Sequence, residues 1–270
     1  MKIRNQIIST LFLVILLLAC SKKDEPLPLV IDENVCTQLT DTTGFNLYHY
    51  TYFSKEDWYN LSHVDKVKNR QLPEDLMKKM TMEQLFNNCM WWEDLAADML
   101  LFNSNQGGFR AAYYGRFNGI QELYKREGIH LFLEEKVKSI DLKDITTNKC
   151  WFYKHILEYM YIQQECLVQY SKNETIKCMD LLFAKVERCA YLTTIDSQKV
   201  TFYDLSQWMH GIGNIMIINE YKPFLDEMEK DMELKSFFAC RMENTSNVVS
   251  KVSTFGTEFY NKLKNETKSK

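Results

Sequence analysis

The chain has 270 residues, 46% hydrophobic and 13% aromatic, enough apolar material for a real core, which excludes disorder of the whole chain. Its formal charge is −3, and removing Lys2 and Arg4 with an N-terminal signal takes the side chains to −5; with no basic block before the short C-terminal tail, no nucleic-acid partner is expected. Gly and Pro number only 9 and 4, too few for the regular turns of a sandwich or barrel, so the fold class is expected to be all-α.

In chain order, Lys2 and Arg4 precede an apolar run over residues 7–19, and the small residue Ala19 precedes Cys20. These are the three parts of a secretory signal, and the run is shorter than the about 20 residues of a bilayer-spanning helix. Leu17-Leu18-Ala19-Cys20 resembles the lipobox of bacterial lipoproteins. The resemblance implies a mature chain beginning at a lipid-bearing Cys20, held by acyl chains that gain about 0.8 kcal/mol per buried methylene. Lys23-Asp24-Glu25 resembles the short surface-export signal of Bacteroidota lipoproteins, which implies an outer-membrane lipoprotein at the cell surface, with a periplasm-facing anchor as the alternative. Residues 20–44 are polar and unpatterned and read as a tether. Within it Asp41-Thr42-Thr43 resembles the O-glycan acceptor of the same phylum, with Thr42 as the candidate residue.

Ser54 with Asp57 predicts a helix to about Asn69. Pro73 at a first helical position, followed by Glu74 and Asp75, opens the next. Thr81-Met82-Glu83-Gln84 is a capping-box pattern opening a third. Gly107-Gly108 and Asn118-Gly119 punctuate helices expected over 108–117, 119–126 and 129–139. The order of these features across 72–128 is similar to a segment of uncharacterised Bacteroides-type lipoproteins. That resemblance implies an all-helical fold and carries no activity and no catalytic residue.

From Cys150 to Tyr170 a helix is expected with Lys154, Glu158, Glu165 and Gln169 on one face and Phe152, Ile156, Tyr159 and Cys166 opposite. Asn173 is expected to cap the next helix, whose Ile176, Met179, Phe183, Val186 and Ala190 form an apolar stripe; the short break between the two predicts an antiparallel hairpin. Further helices are expected over 202–219, from Pro223 to about Arg241, and through Val248, Val252, Phe255, Tyr260 and Leu263, with a fraying tail. Besides Cys20, seven cysteines remain, an odd number, at positions 36, 89, 150, 166, 178, 189 and 240. Cys178 and Cys189 share a helix face but lie about 16 Å apart, beyond the about 7 Å a disulfide spans; buried free thiols are expected, one interhelical pair through Cys166 being the alternative.

Four groups of side chains invite a functional reading. Tyr203, Gln207, His210 and Asn214 line one helix face beside Trp208, where they could floor a ligand pocket or form a hydrogen-bonded helix interface. Gly211 and Gly213 weaken that helix by about 1 kcal/mol each, which close packing of another element should offset. Trp91-Trp92-Glu93-Asp94 sets aromatics beside acids, a sugar-binding composition or a core edge, with Trp91 as the candidate pocket residue. His130/Glu134 and His155/Glu158 offer two ligands each where zinc needs three or more. Nucleophile-elbow, phosphate-loop and dinucleotide motifs are missing.

The sequence thus predicts a single all-α domain over 45–265, built as stacked helical hairpins resembling an α-α superhelix or as an irregular bundle, with a disordered tail at 266–270. The functional expectation is a lipid-anchored interaction module at the outer membrane, attached to the membrane through lipid on Cys20, with a protein partner in the cell envelope. No catalytic residue, cofactor or metal is expected. The alternative is a lipid-anchored hydrolase acting on glycans or peptides through His210 or the Glu93/Asp94 acids.

Overall fold

A computed structural model describes residues 57, 60–90, 102–140, 148–195 and 202–268. The regular structure among them is entirely helical, so the fold is all-α as composition predicts. No helix among the described residues is long and apolar enough to cross a membrane. The chain groups into two compact units that meet in sequence at Gln169 and Tyr170.

The N-terminal unit contains α1 (His63–Arg70), α2 (Glu74–Lys79), α3 (Met82–Met90), α4 (Asn105–Gly108), a π-helix (Phe109–Tyr114), α5 (Asn118–Tyr124), α6 (Ile129–Lys138), α7 (Asn148–Tyr161) and α8 (Gln164–Leu167). Their ends are set by local chemistry. The Ser62 hydroxyl accepts from the Asp65 N–H. Glu74 itself begins α2, with Pro73 as its cap. The Thr81–Gln84 box forms as predicted, Gln84 N–H donating to Thr81 Oγ1 at 3.2 Å and Thr81 N–H to Gln84 Oε1 at 2.9 Å. Gly128 adopts φ +79°, the left-handed conformation that a side chain would strain, and so opens α6. The Asn118-Gly119 pair is not a turn. Asn118 begins α5, and its amide bonds both the N–H and the C=O of Leu72. Leu85, Phe86, Phe109, Ile120, Leu123, Leu133 and Met160 supply much of this core.

Two expectations need correction here. The 150–170 helix is interrupted at Ile162 and Gln163, whose side-chain amide donates to the Tyr159 carbonyl at 2.6 Å. Lys154 and Glu158 do not belong to a solvated face. Both are buried, Lys154 at 2% exposure, and Lys154 Nζ donates to Glu158 Oε2 at 2.6 Å. An i,i+4 pair has the same sequence spacing whether it faces water or the interior, so spacing alone did not separate the two cases.

The C-terminal unit contains α9 (Lys172–Ile195), α10 (Phe202–Ile218), α11 (Lys222–Lys230), α12 (Met232–Phe238) and α13 (Ser246–Lys268). Ser171, not Asn173, makes the reciprocal bonds with Glu174 at the start of α9. The buried stripe of α9 is centred on Thr175, Cys178, Met179, Leu182, Val186 and Cys189, while Ile176, Phe183 and Ala190 lie at its margin. The expected 223–241 helix is two helices, because Asp231 stops one and caps the next: its Oδ1 accepts from the N–H groups of Glu233 and Leu234 at 2.8 and 3.1 Å. Its Oδ2 accepts from Lys251 Nζ at 2.6 Å and Asn247 Nδ2 at 3.0 Å, tying α11 and α12 to α13. The tail is helical through Lys268, steadied by a Lys172–Glu266 ion pair. α10 packs against all four other helices of the unit and is apolar over most of its circumference, with Trp208, Met209, Ile212, Ile215 and Met216 buried.

Candidate functional site

The position of α10 decides the character of the polar stripe on it. Gln207, His210 and Asn214 are buried, and Trp208 is 1% exposed. The predicted pocket floor is therefore packed interior. The Phe237 and Phe238 rings from α12 lie over His210 with centroids 4.1 and 5.1 Å away. Phe238 also meets Phe224 edge-on at 5.5 Å. Gly213 admits this packing, since a Cβ there would stand 2.0 Å from the Phe238 ring. The predicted offset for a helical glycine is thus a ring from a neighbouring helix.

α12 has only seven residues, and its end places a thiol beside the imidazole. Cys240 N–H donates to the Phe237 carbonyl and Arg241 N–H to the Ser236 carbonyl, both at 2.9 Å, the paired bonds of a Schellman turn. The residue at the left-handed position of such a turn is usually Gly, because any side chain costs on the order of 1–2 kcal/mol there. Here it is Cys240, at φ +58°. Its Sγ lies 3.8 Å from His210 Nε2 and 3.9 Å from the Phe238 carbonyl. Three residues on, Glu243 Oε2 accepts from the Ser206 hydroxyl of α10 at 3.0 Å, closing the loop onto the same helix. A thiol at this distance from an imidazole nitrogen can pass it a proton, and the thiolate so formed is the nucleophilic form of cysteine.

The sequence named His210 and not its partner. The available signal was a cysteine immediately beyond the apolar pattern Leu234, Phe237, Phe238, where a glycine is the ordinary helix stop. Cys89, Cys166, Cys178 and Cys189 are buried thiols, in keeping with small hydrophobes, and burial pushes the Cys89 thiol well up from its ordinary value. Cys20, Lys23, Asp24, Glu25, Thr42, Trp91, Glu93 and Asp94 lie outside the described residues.

Each histidine of the two histidine–glutamate spacings has a partner other than the glutamate beside it. His130 Nδ1 lies 3.4 Å from Gln169 Oε1, and Glu134 accepts from Lys138 Nζ at 2.6 Å. His155 Nδ1 lies 2.8 Å from the Trp151 carbonyl, with the two rings 3.8 Å apart, and Glu158 holds Lys154. In the N-terminal unit a polar cluster surrounds Arg110 on the π-helix. It donates to Gln163 Oε1 at 2.8 Å and to both Glu165 oxygens, and it stands 5.1 Å over the Tyr114 ring. Burial pushes the Glu165 carboxyl up, but the Arg110 bond and the backbone bring it below its ordinary value. Both terminal nitrogens of Arg110 are bonded within the protein, so the cluster reads as a lock on the fold.

No protein-family model, curated protein or solved structure matches the chain.

Proposed function

We propose that the chain is a lipid-anchored cell-envelope protein whose helical body is an interaction module at the outer membrane. The observation that carries this reading is the N-terminal pattern: Lys2 and Arg4, the apolar run over 7–19, and Cys20 directly after Ala19. Acyl chains on Cys20 hold the protein at the bilayer, so the body needs no membrane-binding surface of its own. Trp208, His210 and Asn214 are buried, with the Phe237 and Phe238 rings against His210, so this reading takes nothing from a pocket on that face. The Lys23-Asp24-Glu25 stretch favours the outer face, where the partner is a protein of the envelope.

The test is metabolic labelling with an alkyne fatty acid in cells producing the wild-type chain and Cys20→Ala, with cross-linking and affinity isolation from the same cells. The wild type should carry the label, fractionate with the outer membrane and recover a partner that Cys20→Ala does not. Absence of acyl label on the wild type would end the anchor reading; an anchored chain that recovers no partner would end the module reading. The hydrolase alternative gains one observation, the thiol beside His210. It predicts peptide- or glycan-cleaving activity that His210→Ala abolishes.

A further inference from the structure

The geometry points to Cys240 as a thiol–disulfide exchange site: a half-exposed thiol with His210 Nε2 as its proton acceptor, which takes a small disulfide and becomes a mixed disulfide. Three observations converge. The Sγ lies 3.8 Å from the imidazole nitrogen. Of Cys89, Cys166, Cys178, Cys189 and Cys240, only Cys240 is not buried. The left-handed backbone that aims the thiol is one glycine would adopt at lower cost, so the side chain is retained against a local penalty. The ring of Phe237 packs on His210 from the same short helix and fixes the imidazole against which the thiol sits. Of the charged groups next to the thiol in sequence, Arg241 is exposed and Glu243 is bonded to Ser206.

In the exchange, the Cys240 proton moves to His210 Nε2 and the thiolate attacks one sulfur of the disulfide R–S–S–R. A bond forms between Cys240 Sγ and that sulfur as the old S–S bond breaks. The other half leaves as a thiolate and takes the proton back from His210; one S–S bond replaces another, the leaving sulfur is reduced to a thiol as Cys240 Sγ is oxidised to the disulfide level, and no other oxidant is needed. One thiol and one imidazole are too few for a structural metal. This inference goes beyond the interaction-module reading and holds whether or not the chain is lipidated.

The experiment uses the full mature chain with bis(2-hydroxyethyl) disulfide. Peptide mass spectrometry follows the Cys240 adduct as a function of pH, with N-acetylcysteine measured alongside. The Cys240 profile should turn over at lower pH than that of N-acetylcysteine. Near neutral pH it should react about 3- to 5-fold faster, the larger thiolate fraction being partly offset by the lower nucleophilicity of a more acidic thiol. Cys89, Cys166, Cys178 and Cys189 should stay unmodified on that timescale. In His210→Asn the profile should return to that of the free thiol, and Cys240→Ser should lose the fast adduct. A wild-type profile coinciding with N-acetylcysteine overturns the assignment, as does a profile unchanged in a folded His210→Asn protein or a fast adduct that survives Cys240→Ser. If His210→Asn does not fold, the wild-type profile against the free thiol decides.

Discussion

The two units hold their helices by different means. Among the described residues of the N-terminal unit α4 and α8 have four residues each and the longest helix, α7, has 14; in the C-terminal unit α9 has 24 and α13 has 23. Helices shorter than about 12–15 residues are marginal alone in water. The N-terminal unit compensates with side chains that reach across the sequence to backbone groups: Gln71 to the Arg116 carbonyl, Asn118 to Leu72, Arg126 to the Met77 and Met80 carbonyls, and the Tyr124 hydroxyl to the Met160 carbonyl. The C-terminal unit relies on long apolar stripes, with ionic clusters at its surface such as the one around Asp231 and Lys251. A polar stitch needs one partner at one angle, whereas a stripe tolerates any side chain of similar volume. The N-terminal unit should therefore be the more sensitive to polar substitutions and the C-terminal unit to changes of volume.

The sharpest break of that comparison is Lys154→Met. It leaves Glu158 buried without its cation and should cost about 3–5 kcal/mol, read from the urea unfolding midpoint, while the double change Lys154→Met/Glu158→Leu should recover most of it. Next is Gly213→Ala, the volume test. The added methyl collides with Phe238, which its neighbours Phe224 and Phe237 hold in place, and should cost about 1–3 kcal/mol. Pairing it with Phe238→Leu should restore part of the loss. Arg126→Lys keeps the charge but not the fork that serves two carbonyls, and should lower stability by about 1–2 kcal/mol.

The smallest effect expected is that of Asp231→Asn. Asparagine still caps α12 through its oxygen, but its amide nitrogen cannot accept from Lys251 or Asn247; with both partners partly solvated the loss is about 1 kcal/mol near neutral pH. The pH dependence has a definite sign. The Lys251 bond, aided by the backbone N–H groups and Asn247, holds the folded Asp231 carboxyl well below its ordinary value. Its contribution is thus complete above the unfolded value of about 3.9 and disappears as the pH falls through the lower folded one. Wild type and Asp231→Asn should differ at neutral pH and converge in strong acid, as measured by thermal unfolding across that range.

These residues also mark what the sequence made legible. The Thr81–Gln84 cap, the span of α10 and the helical class follow from local pattern and were readable directly. The breaks at Gln163 and Asp231 were not, because each depends on a side chain turning back onto the backbone where the apolar period continues unbroken. At the candidate site, periodicity grouped Gln207, His210 and Asn214 on one face, and the glycine beside them announced close packing. It could not announce Phe238 as the packing group, nor Cys240 as the neighbour of His210, since they come from the end of α12 and the turn after it, nearly thirty residues downstream.

The π-helix of the N-terminal unit carries one residue more than α-bonding would need there. Gly115 N–H donates to the Arg110 carbonyl, five residues back, at 2.8 Å, so the coil between Phe109 and Tyr114 is wider than an α-turn. Deleting one residue within it would let the segment relax to ordinary helical bonding with its two ends near their present orientation, because the wide turn already absorbs the extra residue. The same deletion inside α9 or α13 has no such slack and would turn one part of the helix by about 100° relative to the other. Single-residue deletions should therefore be milder here than in the long helices, although nothing in the composition of Phe109-Arg110-Ala111-Ala112-Tyr113-Tyr114 advertises it.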